Sequence, residues 1–249
     1  MIQRSARNGM TLHPLKTAVI HFGYNNPRYQ YTLSGSTVME ADSVKDLGVL
    51  INAKCTPGEH VSKIVNKANS VLGQLRRATV NRSKDMIVSL YKTYVRPLLE
   101  SSVQAWNPWL RQDIDRIEKV QRRATKLVSG IGSMSYEARL DFCGLTTLEQ
   151  RRVRGDLIQC FKILNGFDNS ESLDLFSFTR DRHDINTRSA AEGLLVPPKT
   201  SLEVRKNFFS SRLVNDWNDL PIEVRTATSV NSFKNQYDIY HDTAKNFTT

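Results

Sequence analysis

The chain has 249 residues, 39% of them hydrophobic, enough for one large domain or two ordinary ones with a buried core. Its 35 Lys and Arg against 25 Asp and Glu leave a net charge of +10, which favours polyanionic partners because each cation set against a phosphate releases condensed counterions. Cys55, Cys143 and Cys160 stand far apart, with no Cys-x-x-Cys and no histidine at finger spacing, which argues against a zinc site and for reduced, buried thiols. No apolar run reaches signal-peptide or membrane-spanning length, and the expectation is an intracellular protein, nuclear or cytoplasmic, without a membrane partner.

Residues 1–55 alternate with a period of two. Thr17 to Phe22 is a β-branched run, Tyr29 to Leu33 alternates, and Val49 to Ile51 is a short buried run, with turn chemistry at Gly23 to Pro27 and at Ser34 to Ser36. These features predict an antiparallel hairpin or meander of three or four short strands.

Past Pro57-Gly58 the period becomes helical. Val61, Ile64, Val65, Ala68, Val71, Leu72 and Leu75 form an apolar stripe, with Lys63, Lys67, Arg76 and Arg77 off its centre. Ser83 is a good N-cap for a second helix to Tyr94, with Ile87, Leu90, Tyr91 and Tyr94 on one side. Pro97 is expected to kink or restart it, since proline has no amide hydrogen and clashes with the preceding turn. A third helix spans about 111–129 and stops at Gly130, a fourth runs from Ser135 to Phe142, and a fifth begins at Thr147 and stops at Asn165-Gly166. Five helices joined by short connections predict an all-α subdomain. Beyond it, Leu173 to Phe178 is a short apolar element, 179–187 a polar loop and Gly193 to Pro198 an extended segment. Helices are expected over 203–217 and 229–240, the second burying Val230, Phe233, Tyr237 and Tyr240. The fold class is therefore α+β, mainly α: a β region (1–55), a helical bundle (56–166) and a C-terminal helical region (167–249).

Several segments recur in an order with a family likeness. Leu90-Tyr91-Lys92, Val95-Arg96-Pro97-Leu98-Leu99-Glu100, Trp106-Asn107-Pro108 and Glu118-Lys119-Val120-Gln121-Arg122-Arg123-Ala124-Thr125 come first. Arg151-Arg152-Val153-Arg154-Gly155-Asp156, Phe208 to Arg212, Trp217 to Pro221 and Ser229 to Lys234 follow. Together they resemble the region downstream of the active site in reverse transcriptases of LINE-type, jockey-like non-LTR retrotransposons. Leu12 to Thr17 resembles that family's segment after the catalytic aspartates, with His13 where the family usually has Asn. The resemblance implies post-catalytic palm strands, a thumb and a C-terminal extension, and a lysine near position 16 that helps pyrophosphate leave.

Polymerases of that family hold two metal ions on a Tyr/Phe-x-Asp-Asp pair, and no two adjacent aspartates occur in this sequence. The expected function is thus that of a truncated RNA-directed DNA polymerase fragment, inactive by itself, that keeps a basic surface for RNA, DNA or RNA/DNA hybrid regardless of sequence. No cofactor is expected in the chain, and Mg²⁺ only if the missing palm is supplied. The alternatives are a non-catalytic helical protein-interaction module and an incomplete gene model of an active reverse transcriptase.

Arg116, Lys119, Arg123 and Lys126 fall within about 80° of one another on the third helix, a row about 15 Å long. With Arg122, Lys63, Lys67, Arg76, Arg77, Arg151, Arg152 and Arg154 they make up the expected nucleic-acid surface, and +8 of the net charge lies in 57–156, where 18 basic residues face 10 acidic ones. Ion pairs Asp115–Lys119 and Glu118–Arg122 at i, i+4 are the competing reading of that helix. Arg151, Arg152 and Arg154 crowd one turn, so either phosphate or acids such as Glu149 and Asp156 must neutralise them. Tyr91, Tyr94, Trp106 and Trp109 read as core.

Overall fold

The computed structural model describes residues 13, 16–23, 25–168, 175–179 and 193–246. Leu12, Pro14, Leu15, Tyr24, Leu173 and the loop 180–187, which figure in the expectations above, lie outside that set.

Among the described residues six short strands come first: β1 (Ala18–Val19), β2 (Thr32–Leu33), β3 (Ser36–Thr37), β4 (Met39–Glu40), β5 (Ser43–Asp46) and β6 (Val49–Asn52). They form three separate pairs rather than one meander. β2–β3 and β5–β6 are antiparallel hairpins, whereas β1 and β4 run parallel, Ala18 opposite Met39. The parallel pair arises because β1 and β4 are joined through the β2–β3 hairpin, which returns the chain in the same direction.

Helices dominate the rest: α1 (Gly58–Ala78), α2 (Lys84–Leu90), α3 (Arg96–Glu100), α4 (Val103–Trp106), α5 (Arg111–Thr125), α6 (Tyr136–Cys143) and α7 (Leu148–Leu164). Several boundaries follow encoded caps, although α5, the third helix expected, ends at Thr125, short of the predicted stop at Gly130. The Ser135 hydroxyl accepts from Ala138 N, Thr147 and Gln150 form a reciprocal capping box, and Gly144 and Gly166 take positive φ after their helices.

Between α2 and α3 the helix does not break at proline. Tyr91–Val95 form a π turn in which Arg96 N–H reaches back five residues to Tyr91 O. That wider turn makes room for the Pro97 ring, so the axis passes through the proline to Glu100. Tyr91 is buried as expected, but Tyr94 is 56% exposed, because the wide turn carries it out of the apolar face.

The helix expected over 203–217 is instead three pieces, α8 (Glu203–Lys206), α9 (Phe209–Arg212) and α10 (Val214–Asn218), followed by α11 (Ile222–Arg225) and α12 (Val230–Asn246). Phe208 is extended, which ends α8 and swings Phe209 into the core while Phe208 stays exposed. Phe178 and Leu195 make an antiparallel bridge, and Asn218 clamps Leu195 by accepting from its N–H and donating to its carbonyl, both at 2.9 Å. Tyr240 stays exposed on α12, outside the buried Phe233 and Tyr237.

Among the described residues most buried hydrophobics fall into two clusters, with Leu33 and Val38 outside both. One gathers Val49 with α1 to α6 and ends at Leu148, the first residue of α7. The other begins at Leu157 on the same helix and takes in Phe176, Leu195, Phe209, Leu213, Trp217 and Phe233. Among the described residues no helix is long and apolar enough to cross a membrane.

Candidate nucleic-acid interface

α5 owes its placement to its apolar stripe: Ile117, Val120 and Ala124, with Val128 just beyond, are all buried against the bundle. The opposite side leaves Arg116, Lys119, Arg122, Arg123 and Lys126 exposed. The helix ends at Thr125, so Lys126 is the first residue beyond it rather than a full helical position.

α1 packs on α5 and supplies the second wall of a cleft of about 350 Å³ lined by Asn69, Leu72, Gly73, Arg76, Arg123, Lys126 and Leu127. Three cations and no carboxylate line it. Arg123 Nη1 donates to Asn69 Oδ1 at 2.8 Å, which fixes that guanidinium at the rim without neutralising it. Arg77 stands beside the cleft, its Nη1 3.7 Å from where a Cβ on Gly73 would lie. Farther up the row, Lys119 has no ionic or hydrogen-bonded partner among the described residues, whereas Arg116 is tied to the buried Asp113 carboxylate at 3.3 Å.

Lys63 and Lys67 are not part of this cleft. Lys67 and Arg76 are nine residues apart, about 180° around α1, so they occupy opposite sides. Lys63 and Lys67 join Lys45 of β5 around a second opening of about 390 Å³ that also meets Leu47 at the β5–β6 turn.

The ion pairs anticipated on α5 do not form. Asp115 pairs with Arg111 at 3.0 Å, not with Lys119. Glu118 is buried, and Arg122 instead stacks on the Tyr136 ring, 4.2 Å from its centroid. Glu118 accepts from Leu148 N–H at 3.0 Å at the start of α7 and from the Tyr136 hydroxyl. Gln121, fully buried beside it, accepts from Tyr91 Oη at 2.7 Å, and its Nε2 donates to Tyr136 Oη and Thr146 O at 2.9 and 3.0 Å. Burial, and next the bond to Glu118, push the Tyr136 phenol above its ordinary range. Sequence reasoning missed this network. Its signal was that Gln121 sits four residues after Ile117 and therefore shares the buried arc.

The arginine triplet of α7 also turns inward. Arg151 forms a two-pronged pair with Glu100, and Arg154 holds Asp238 at 2.6 and 2.7 Å. Arg152 is 2% exposed and donates from Nε to Asn107 Oδ1 at 3.0 Å, so it cannot meet a phosphate at the surface. Glu100 and Asp238, rather than Glu149 and Asp156, thus hold the two outer arginines. Asp156 is engaged elsewhere, by Arg212 at 2.9 and 3.0 Å. Trp106 is buried and donates to Ser101 O at 2.7 Å, while Trp109 is only half-buried.

Cys143 and Cys160 are buried free thiols, and Cys55 is exposed, contrary to expectation, on a left-handed turn just after β6. No group of His, Cys, Asp or Glu that could hold a metal ion occurs among the described residues.

By its architecture the chain is a mainly α member of the α+β class. No family model and no solved structure matches it. A Caenorhabditis elegans protein whose name says only that it is uncharacterized is 25% identical over 128 residues, 50% of this chain. The match spans 65% of that protein's length.

Proposed function

We propose that this chain binds nucleic acid through its backbone, as the thumb-side part of a LINE-type reverse transcriptase, and without a catalytic step of its own. The single observation that carries the reading is the carboxylate-free cleft between α1 and α5, where Arg76, Arg123 and Lys126 converge beside exposed Lys119 and Arg77. Cations left unpaired on a rigid pair of helices suit a phosphodiester chain, which presents charge at regular intervals and asks for no base reading. The resemblance of the sequence segments to the retrotransposon family supports the same reading and suggests RNA/DNA hybrid or duplex as the partner.

The test is binding to a labelled RNA/DNA hybrid over a range of salt. The wild-type chain binds in a salt-sensitive, sequence-indifferent manner, and Arg76→Gln with Arg123→Gln and Lys126→Gln lowers the log–log salt slope by about two to three. An unchanged slope and affinity in the triple variant would overturn the assignment.

A further inference from the structure

On another side of the molecule lies a cavity of about 450 Å³, bounded by the π turn and α3, the start of α7, and α12. Four cationic side chains line it: Lys92, Arg96, Arg151 and Arg154. Each carries nitrogens that none of the described residues uses. Arg151 meets Glu100 through Nε and Nη2, leaving Nη1. Arg154 meets Asp238 through the same two atoms, again leaving Nη1. Arg96 reaches Glu100 through Nε at 3.8 Å, its terminal nitrogens donate no hydrogen bond to the described residues, and Lys92 is exposed with no ionic or hydrogen-bonded partner among them.

Charge does not balance here. Arg96 and Arg151 share the one carboxylate of Glu100, and counting Asp238 and Asp242 the four cations face three carboxylates. Burial, and next the neighbouring Arg151 charge, lower the Arg96 guanidinium from its ordinary range, the response of a cation short of counter-charge. Gln150, at the same wall, uses its Oε1 to accept from Thr147 N–H, and its amide nitrogen donates to none of the described residues.

We infer that this cavity takes a compact polyphosphate, two or three linked phosphoryl groups, seated on Lys92, Arg96, Arg151 and Arg154. A carboxylate occupies one edge of a guanidinium, as Glu100 and Asp238 do. A chain of phosphates offers oxygens in several directions and reaches nitrogens spread over a space of this size. The site is distinct from the cleft between α1 and α5 and does not depend on the nucleic-acid reading.

Titration calorimetry of the full chain with sodium tripolyphosphate, with a nucleoside triphosphate and with orthophosphate tests it. Tripolyphosphate binds, and orthophosphate at least tenfold more weakly. Lys92→Gln, an exposed residue, weakens tripolyphosphate about threefold, and Lys92→Gln with Arg96→Gln at least tenfold. Arg123→Gln with Lys126→Gln leaves that affinity as it was, which separates this site from the nucleic-acid cleft. Tighter binding of the nucleoside triphosphate supports the site and names a nucleotide as the source. Equal or weaker binding supports it with an inorganic chain. Absence of tripolyphosphate heat at millimolar concentration, equal affinity for orthophosphate, or undiminished binding by Lys92→Gln would each overturn the proposal.

Discussion

Glu118 shows how a residue's neighbours decide its role. Four residues before Arg122 it has the spacing of a surface ion pair, yet it is buried and receives a backbone N–H, a phenol and an amide. Those donors replace the water it loses, and by accepting from Leu148 N–H it also tethers the start of α7 to α5. His60 is the corresponding case for pH. It is 3% exposed, its Nδ1 accepts from Leu50 N–H at 3.1 Å, and its ring lies 5.0 Å from Trp106. Burial, followed by the charge of Lys63, lowers its pKa from 6.5. The unfolded chain therefore binds more protons than the folded one as pH falls, and stability rises with pH. The His60 contribution is complete above the unfolded value and is lost as pH drops through the folded one. In urea melts between pH 7 and 5, the wild type loses stability more steeply than His60→Gln, which can still accept from Leu50. Parallel pH profiles for the two proteins would refute this.

Among elements, those with caps and clean periodicity were legible. Thr147 to Gly166 reads as one helix because both ends are encoded and its apolar positions recur at 3.6 residues. The pieces from Glu203 to Asn218 were not, because Val204, Phe208, Phe209, Leu213 and Val214 also satisfy a helical period. The break at Phe208 is imposed by tertiary contacts instead. Arg212 is the chief of these: besides Asp156 it donates to Asn207 O at 3.0 Å and to Val103 O and Gln104 O at 3.4 Å. Its side chain is 14% exposed and that of Asp156 4%, so removing it strands a buried carboxylate. Arg212→Ala is expected to cost about 3 to 5 kcal/mol in chemical denaturation. Arg212→Lys restores only part of it, since an ammonium cannot reproduce the two-pronged fork. A loss below about 1 kcal/mol in the alanine variant would show that α9 is held by its phenylalanine alone. The interface was partly legible: the cation row on α5 followed from spacing, but its pairing with Arg76, and the exclusion of Lys63 and Lys67, needed the packing of α1.

At the scale of the whole molecule, the recurring segments meet one another in space. Glu100 of one holds Arg151 of another, Asn107 receives Arg152, and Asp156 receives Arg212. These segments therefore form in large part a frame that positions helices, and the exposed cations are a smaller set laid over it. One helix joins the two halves of that frame, since α7 starts in one hydrophobic cluster and finishes in the other. Gly155 sits at the crossing, where its carbonyl accepts from Gln104 Nε2 at 3.3 Å. A Cβ there would lie 3.9 Å from Val103 Cγ1, an ordinary contact, so Gly155→Ala should add about 0.5 to 1 kcal/mol and raise the melting temperature. A lower melting temperature would mean that the crossing needs glycine. The continuity of α7 has a thermodynamic consequence. Neither cluster can melt fully while the helix stays intact, so calorimetry should record one cooperative transition for both, with α7 as the shaft that transmits unfolding from one to the other.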